Sequence, residues 1–403
     1  VILGTLCKVQ HLFAFSLSVR NDFCHFTQYS VFFTSNILKI KIIPMQRIRI
    51  LSLLLIASLQ GFGQTNLETS IVFGGNSIDE AKDLKVNPTR TALFMGAKTF
   101  STDGLIPENA GGSDFWVMKR NIDGSLVWNN TFGGPGNDDL EVLMPHPDGG
   151  VLAFGTTKTD QGLFGDLTGL SGGWLMRTNN NGAIIDGKIY GGSITETGVD
   201  AFRHISGNVT MALEAGSTLL NGETNHGLLD VWIVTVNPSL SIIWTTLLGG
   251  TGSDVPDAIT ADINGNIYIA ATSNSNLPGL DPNHGGKDVW VIKLAPTGEV
   301  LWQKNFGGSL EDEASDIVIH PDGLVYVLAH SQSDDGDFTV NSGLNDLWVI
   351  KLDALDGETL GMYRYGGSGN DYNGKAVFLG SDELVYSNNT NSVHQVHTSH
   401  KRS

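Results

Sequence analysis

The sequence predicts an all-β chain folded as a β-propeller of four-stranded blades, and three observations carry that prediction. A tryptophan recurs at Trp116, Trp174, Trp232, Trp290 and Trp348, each 58 residues after the last. An aromatic residue or Leu followed by Gly-Gly keeps nearly the same beat, at Phe73, Phe132, Tyr190, Leu248, Phe306 and Tyr365. Between these anchors stand Asn-Gly, Asp-Gly and Thr-Gly pairs, in a chain with 50 glycines and only 12 prolines. Such pairs supply the positive φ of tight hairpins. A fixed period of this length means one supersecondary unit copied around a ring or along a stack.

One period, read from Gly249-Gly250, gives the elements in order. Residues 257–262 are the first strand, closed by the Asn-Gly turn at 263–266. Residues 267–272, alternating and β-branched, are the second. A long polar loop, 273–287, leads to the Trp-bearing third strand at 288–294. The Pro-Thr-Gly turn at 295–298 feeds the fourth, 300–306. Four antiparallel strands in a unit of this size make a propeller blade, and no helical periodicity competes. The repeating tryptophans are read as core packing.

The blade count is six, with complementary defects at the two ends. The first fourth strand, 69–73, has no third strand before it. The last strand pair, near 375–379 and 383–386, has no Trp-bearing strand after it. An N-terminal strand completing the last blade closes a propeller without leaving an open edge. The missing third-strand Trp is due at position 406, past the end of the 403 residues. The tail 391–403 matches no part of the repeat and is read as non-native or disordered, ending a truncated chain; the propeller is assigned 64–390.

From Met45 the chain runs through Arg47 and Arg49, then an apolar stretch, then Gly61-Phe-Gly63. A basic start, a short apolar core and a small-x-small site are the layout of a secretory signal peptide, 45–63. Residues 1–44 are read as misassigned upstream translation. The expected location is therefore outside the cell or on its surface. Lys and Arg total 24 against 42 Asp and Glu, a net charge of −18. That surface repels phosphate, which argues against nucleic acid. Cys7 and Cys24 are the only cysteines, so disulfides and thiolate metal sites play no part in the repeat.

Strand order places the second-to-third loops and the loops after each Gly-Gly on one face. Ligands on repeat scaffolds bind through such loops. The nominated binding residues are Asp138, Asp139, Asp254, Glu311, Asp312, Glu313, Asp334, Asp335, Asp337 and Asp371. Asp138, Asp254 and Asp371 end Gly-Gly-x-Gly-x-Asp motifs that lie too far apart to stack as a calcium β-roll. Ca²⁺ held one ion at a time is the cofactor they allow; no other cofactor is expected. Expected partners are an extracellular polysaccharide or protein, bound by a monomer with no membrane span.

The repeat resembles the β-propeller repeats of large secreted and cell-surface Bacteroidetes proteins associated with type IX secretion. The resemblance rests on Gly286-Lys-Asp-Val-Trp-Val-Ile-Lys-Leu294, Gly298 to Gly308, Glu313-Ala-Ser-Asp-Ile and Pro321-Asp-Gly323. It implies a non-catalytic module, here a binding or adhesion scaffold. The alternative is an enzyme carried on a propeller, quinoprotein-like or carbohydrate-active. Asp353-Ala-Leu-Asp-Gly-Glu358 resembles the quinoprotein repeat, and Gly169-Leu-Ser-Gly-Gly173 fits a nucleophile elbow whose strand-turn-helix setting is missing. The third repeat is degenerate, with Gly172 in place of the Asp before its Trp. Arg177, Arg203, His204 and Glu214 are the residues that a catalytic departure there would use.

Overall fold

The computed structural model describes residues 17–20, 23–25, 73–159, 167–320, 322–371, 375–379, 383–387 and 393–397. These form strands and turns, with no helix among the described residues. Two short strands, β1 (Leu17–Arg20) and β2 (Phe23–His25), make a hairpin in the segment set apart above. β1 runs antiparallel beside the first strand of the first blade.

Five complete blades follow, each a four-stranded antiparallel meander. Blade 1 is β3 (Asp79–Val86), β4 (Ala92–Thr99), β5 (Asp114–Asn121) and β6 (Leu126–Phe132). Blade 2 is β7 (Asp138–Pro145), β8 (Val151–Thr157), β9 (Gly172–Thr178) and β10 (Ile184–Tyr190). Blade 3 is β11 (Glu196–Arg203), β12 (Val209–Ala215), β15 (Asp230–Val236) and β16 (Ile242–Leu248), with a small hairpin, β13 (Leu219–Leu220) and β14 (Glu223–Thr224), in its long loop. Blade 4 is β17 (Asp254–Ala261), β18 (Ile267–Ser273), β19 (Asp288–Leu294) and β20 (Val300–Phe306). Blade 5 is β21 (Asp312–His320), β22 (Leu324–Ser331), β23 (Asp346–Asp353) and β24 (Thr359–Tyr365).

A sixth sheet has three strands, β25 (Lys375–Leu379), β26 (Glu383–Ser387) and β27 (Val393–His397). β27 corrects the reading of the tail: Val393–His397 pairs with β26 where the third strand was missing. The open edge of β26 offers unpaired N–H and C=O groups, and main-chain pairing asks little of side-chain pattern. The N-terminal strand expected to complete this blade lies outside the described residues apart from Phe73, as does the signal-peptide segment.

The first strands of successive blades pack side by side, β3 on β7, then β11, β17, β21 and β25. Each of the first five carries a bulge at one place, between Ala81 and Asp83, Leu140 and Val142, Gly198 and Asp200, Pro256 and Ala258, Ala314 and Asp316. A bulge sharpens twist, and in blades 1, 3 and 5 the residue after it is an Asp. Asp83 accepts the Leu143 N–H at 2.8 Å, and Asp200 the Ile259 N–H at 3.0 Å, tying blade 1 to blade 2 and blade 3 to blade 4. Because of these bulges the inner strand of blade 4 begins at Asp254, three residues before the sequence reading put it.

The core fills the space between blades. β18 and β19 are buried along their whole length, and Trp232 and Trp290 are the largest fully buried side chains. Removing that much apolar surface from water, at about 25 cal/mol per Å², is the main stabilising term. A second tryptophan, present in blades 1, 3 and 4, has a separate job. Trp128, Trp244 and Trp302 donate their indole N–H to Asn180, Pro296 and Ala354 carbonyls in the third-to-fourth turn of the next blade, at 3.0, 3.0 and 3.2 Å. Those turns hold Gly182, Gly298 and Gly357 at positive φ. A Cβ there would come within 2.7, 2.7 and 3.0 Å of the same indoles, so both the turn and the neighbouring ring require glycine.

Candidate ligand-binding face

The first strands of blades 1 to 5 open on an acid, Asp79, Asp138, Glu196, Asp254 and Asp312, and Asp371 stands four residues before β25. These side chains are buried rather than displayed. Asp138 accepts the Gly134 N–H at 2.8 Å and the Thr159 hydroxyl at 2.7 Å, and its other oxygen takes the Thr157 hydroxyl. Asp254 repeats this with Gly250, Ser275 and Ser273. Asp312 repeats it with Gly308, Ser333 and Ser331. Asp371 accepts the Gly367 N–H at 2.9 Å. A buried carboxylate persists only when its lone pairs are met, and a hydroxyl-x-hydroxyl pair at the end of the second strand meets them.

A second acid faces the first across the leading glycine of Gly-Gly. Asp114, Asp230, Asp288 and Asp346 accept the N–H four residues upstream, at 2.7 to 2.9 Å. His226, His284 and Arg364 add a further contact to Asp230, Asp288 and Asp346 at 2.7 to 2.8 Å. The remaining oxygen of each is buried without a hydrogen-bond partner. It lies against the glycine: a Cβ on Gly133, Gly249, Gly307 or Gly366 would sit 2.1 to 2.5 Å from it. The Gly-Gly marker is therefore a seam in which two carboxylates close on a residue that has no side chain. Burial lifts the Asp114 carboxyl to about 6, with the nearby Asp138 charge adding to the lift. Burial likewise raises Asp230, Asp288 and Asp312.

Of the ten nominated binding residues, Asp138, Asp254, Asp312 and Asp371 thus belong to seams, a correction to the picture of a displayed acidic face. The physical reason is that the strand starts at the acid and turns it inward. Asp335 and Asp337 accept the Ser309 and Gly307 N–H groups at 2.7 and 3.0 Å, pinning their own loop. Asp139 is paired with Lys98 at 2.8 Å and with the Ser113 hydroxyl at 2.6 Å. Glu311 is half-exposed and Asp334 exposed.

Glu313 stands in a recess that sequence reasoning did not assemble. Its carboxylate takes Lys287 on one oxygen and His330 Nε2 on the other, the latter at 3.0 Å. The His330 hydrogen bond and the Lys287 ammonium hold its pKa at about 2 against the opposing cost of burial. Asn345 and Asn370 complete the wall, with the Asn345 amide donating to Asn370 Oδ1 at 2.6 Å. Lys287 comes from blade 4 and Glu313 from blade 5, so only the three-dimensional arrangement joins them. Their shared signal in sequence is a departure from the repeat at three positions that carry no charge one junction earlier.

The residues of the enzyme alternative are not brought together. His204 follows β11 at one end of blade 3, whereas Glu214 pairs with Thr197 at the other. His204 Nε2 is 2.7 Å from the Thr210 hydroxyl. Arg177 pairs with Asp148 in a turn. Ser171 is buried and donates to the Glu196 carbonyl at 2.9 Å. Among the described residues no helix is long and apolar enough to cross a membrane, and no three His, Cys, Asp or Glu side chains gather in a metal-binding arrangement.

The family model described as a beta-propeller repeat, SBBP, matches residues 243–278. These span β16, β17, β18 and the Gly-Gly seam between blades 3 and 4. Over 84 residues the chain is 34% identical to the regulatory protein FlaEY of Caulobacter vibrioides, which covers 19% of this chain and 9% of that protein. The chain thus spans under a tenth of the length of the curated relative it matches. Among solved structures it is similar to the Dos1 propeller, at 12% identity and TM-score 0.49 over 80% of this chain and 68% of that one. A protein of unknown function from Dyadobacter fermentans gives 12% identity and TM-score 0.46 over 79% and 92% of the two chains. The 58-residue unit, its four-strand meander and the repeat match together identify the chain as a β-propeller.

Proposed function

We propose that this propeller is an exported, non-catalytic binding module, working as a monomer at the cell surface or outside the cell. Its ligand in this reading is an extracellular polysaccharide or protein. One observation carries the reading: the long second-to-third loops and the loops after Gly-Gly share one face, whereas tight hairpins close the other. Hydrogen bonds knit the two loop sets together, as between Asn76 and Asp103 or Ser77 and Ser101. A rigid loop platform of this kind is where repeat scaffolds bind. The basic, apolar and small-residue stretch at 45–63 supports export, and the resemblance to Bacteroidetes surface proteins points to the same place. Weak contacts at several blades would add up on a polymer.

The test is retention of the full chain on a panel of glycans and surface polymers, with and without calcium. Retention of at least one polymer, without its breakdown, is the expected result. Turnover of a panel substrate would replace this reading with the enzyme one. Retention that vanishes on chelation would assign Ca²⁺ to the face.

A further inference from the structure

We infer that the recess between blades 4 and 5 is a binding site for a neutral, hydroxyl-rich ligand, a single sugar unit or the end of a glycan. This deepens the binding reading above and rests on it. The recess has a volume of about 380 Å³ and a lining that is polar throughout, within the range of small-ligand sites. Polar and charged residues supply the whole wall, so hydrogen bonding rather than apolar burial would dominate recognition there.

The charges inside select against ions. Glu313 is already satisfied by Lys287 and His330, and Glu311 lies 3.9 Å from the same ammonium. A ligand cation would meet Lys287, and a ligand anion would meet two carboxylates. A neutral hydroxyl group avoids both costs, since it donates and accepts at once. The carboxamides provide what it needs. The side chains of Asn345, Asn370 and Gln332 line the recess, and carboxamides both donate and accept, as a ligand hydroxyl requires.

Comparison with the neighbouring junction shows that the fold does not require these residues. At the positions of Lys287, Glu313 and His330, the junction of blades 3 and 4 carries Leu229, Val255 and Thr272. That junction forms the same seam and the same strand pairing. The charged triad is therefore an addition to the scaffold.

The experiment titrates the full chain, by calorimetry or ligand-observed NMR, with neutral monosaccharides and disaccharides. Glucosamine and glucuronate serve as the cationic and anionic controls. At least one neutral sugar should bind, more tightly than either control. The variant K287L/E313V/H330T installs the residues of the neighbouring junction, so it should keep the melting temperature while weakening that sugar more than tenfold. N345A should weaken it without unfolding the chain. Binding unchanged in both variants would overturn the site, as would preference for either ionic control or silence across the sugars. A polymer retained equally by wild type and the triple variant would remove this recess while leaving the binding-module reading intact.

Discussion

Blades 2 and 4 solve one packing problem with different residues. In blade 4, Asp288 on the third strand and Asp312 at the next first strand close on Gly307. In blade 2 the third-strand acid is Gly172, and the next first strand begins with Glu196 instead of Asp. The longer acid reaches into the vacated space. Its Oε2 accepts the Gly192 N–H at 2.6 Å and its Oε1 the Ser217 N–H at 2.9 Å. A Cβ on Gly191 would lie 2.9 Å from Glu196 Oε2 and 3.4 Å from the Gly172 Cα. What reads as decay in one repeat is a compensated exchange. The two carboxylates of a seam occupy one volume and should be treated as a unit.

That comparison can be broken most directly at the glycine. Gly307→Ala drives a methyl to within 2.1 Å of Asp288, with the carboxylate buried and unable to swing away. We expect a loss of about 1–3 kcal/mol, the range of overpacked cores, read as a fall in the midpoint of chemical denaturation. The exchange itself can be transplanted. Asp312→Glu alone should cost about 2 kcal/mol by crowding Asp288, and D288G/D312E should recover at least half of that. A double-mutant cycle measures the coupling, expected at about 1–2 kcal/mol. Additive single-site losses would show that the acids act independently.

Protonation sharpens the same point. Burial raises Asp114 to about 6 in the fold, whereas an unfolded Asp titrates near 3.9. Between those values the native chain holds a proton that the unfolded chain has lost. Stability should therefore fall as pH rises from about 4 through 6, and change little from this group above about 7. Asp114→Asn carries no such proton and should flatten that part of the profile, by up to about 3 kcal/mol, in thermal melts between pH 4 and 8. The smallest expected effect is Asp334→Ala. It removes an exposed carboxylate from the loop face, and the unfolding free energy should stay within the roughly 0.5 kcal/mol typical of surface changes.

The sequence made the architecture legible because its signals are local and periodic. A Trp every 58 residues marks each third strand, and Gly182 or Gly298 marks each following turn. The third and fourth strands of blade 4 fall where patterning placed them, at 288–294 and 300–306. The start of β17 was missed because Pro256, which reads as a strand breaker, sits at the bulge where it is tolerated. The site was hidden for a different reason. Whether Asp254 faces water or a pair of serines depends on hydroxyls 19 and 21 residues away. Lys287, Glu313 and His330 meet only because two blades abut.

The tryptophan that grips the next blade gives the ring a direction. Trp128, Trp244 and Trp302 each find their acceptor 52 residues further along the chain. During synthesis at about 5–20 residues per second, each indole waits roughly 3–10 s for the turn that will cover it. A chain that has just completed blade 1, 3 or 4 therefore ends in an unsealed aromatic edge, and its capture by the following blade works as a ratchet at those three junctions. An interruption after blade 1, 3 or 4 leaves that edge as the sticky surface of the fragment.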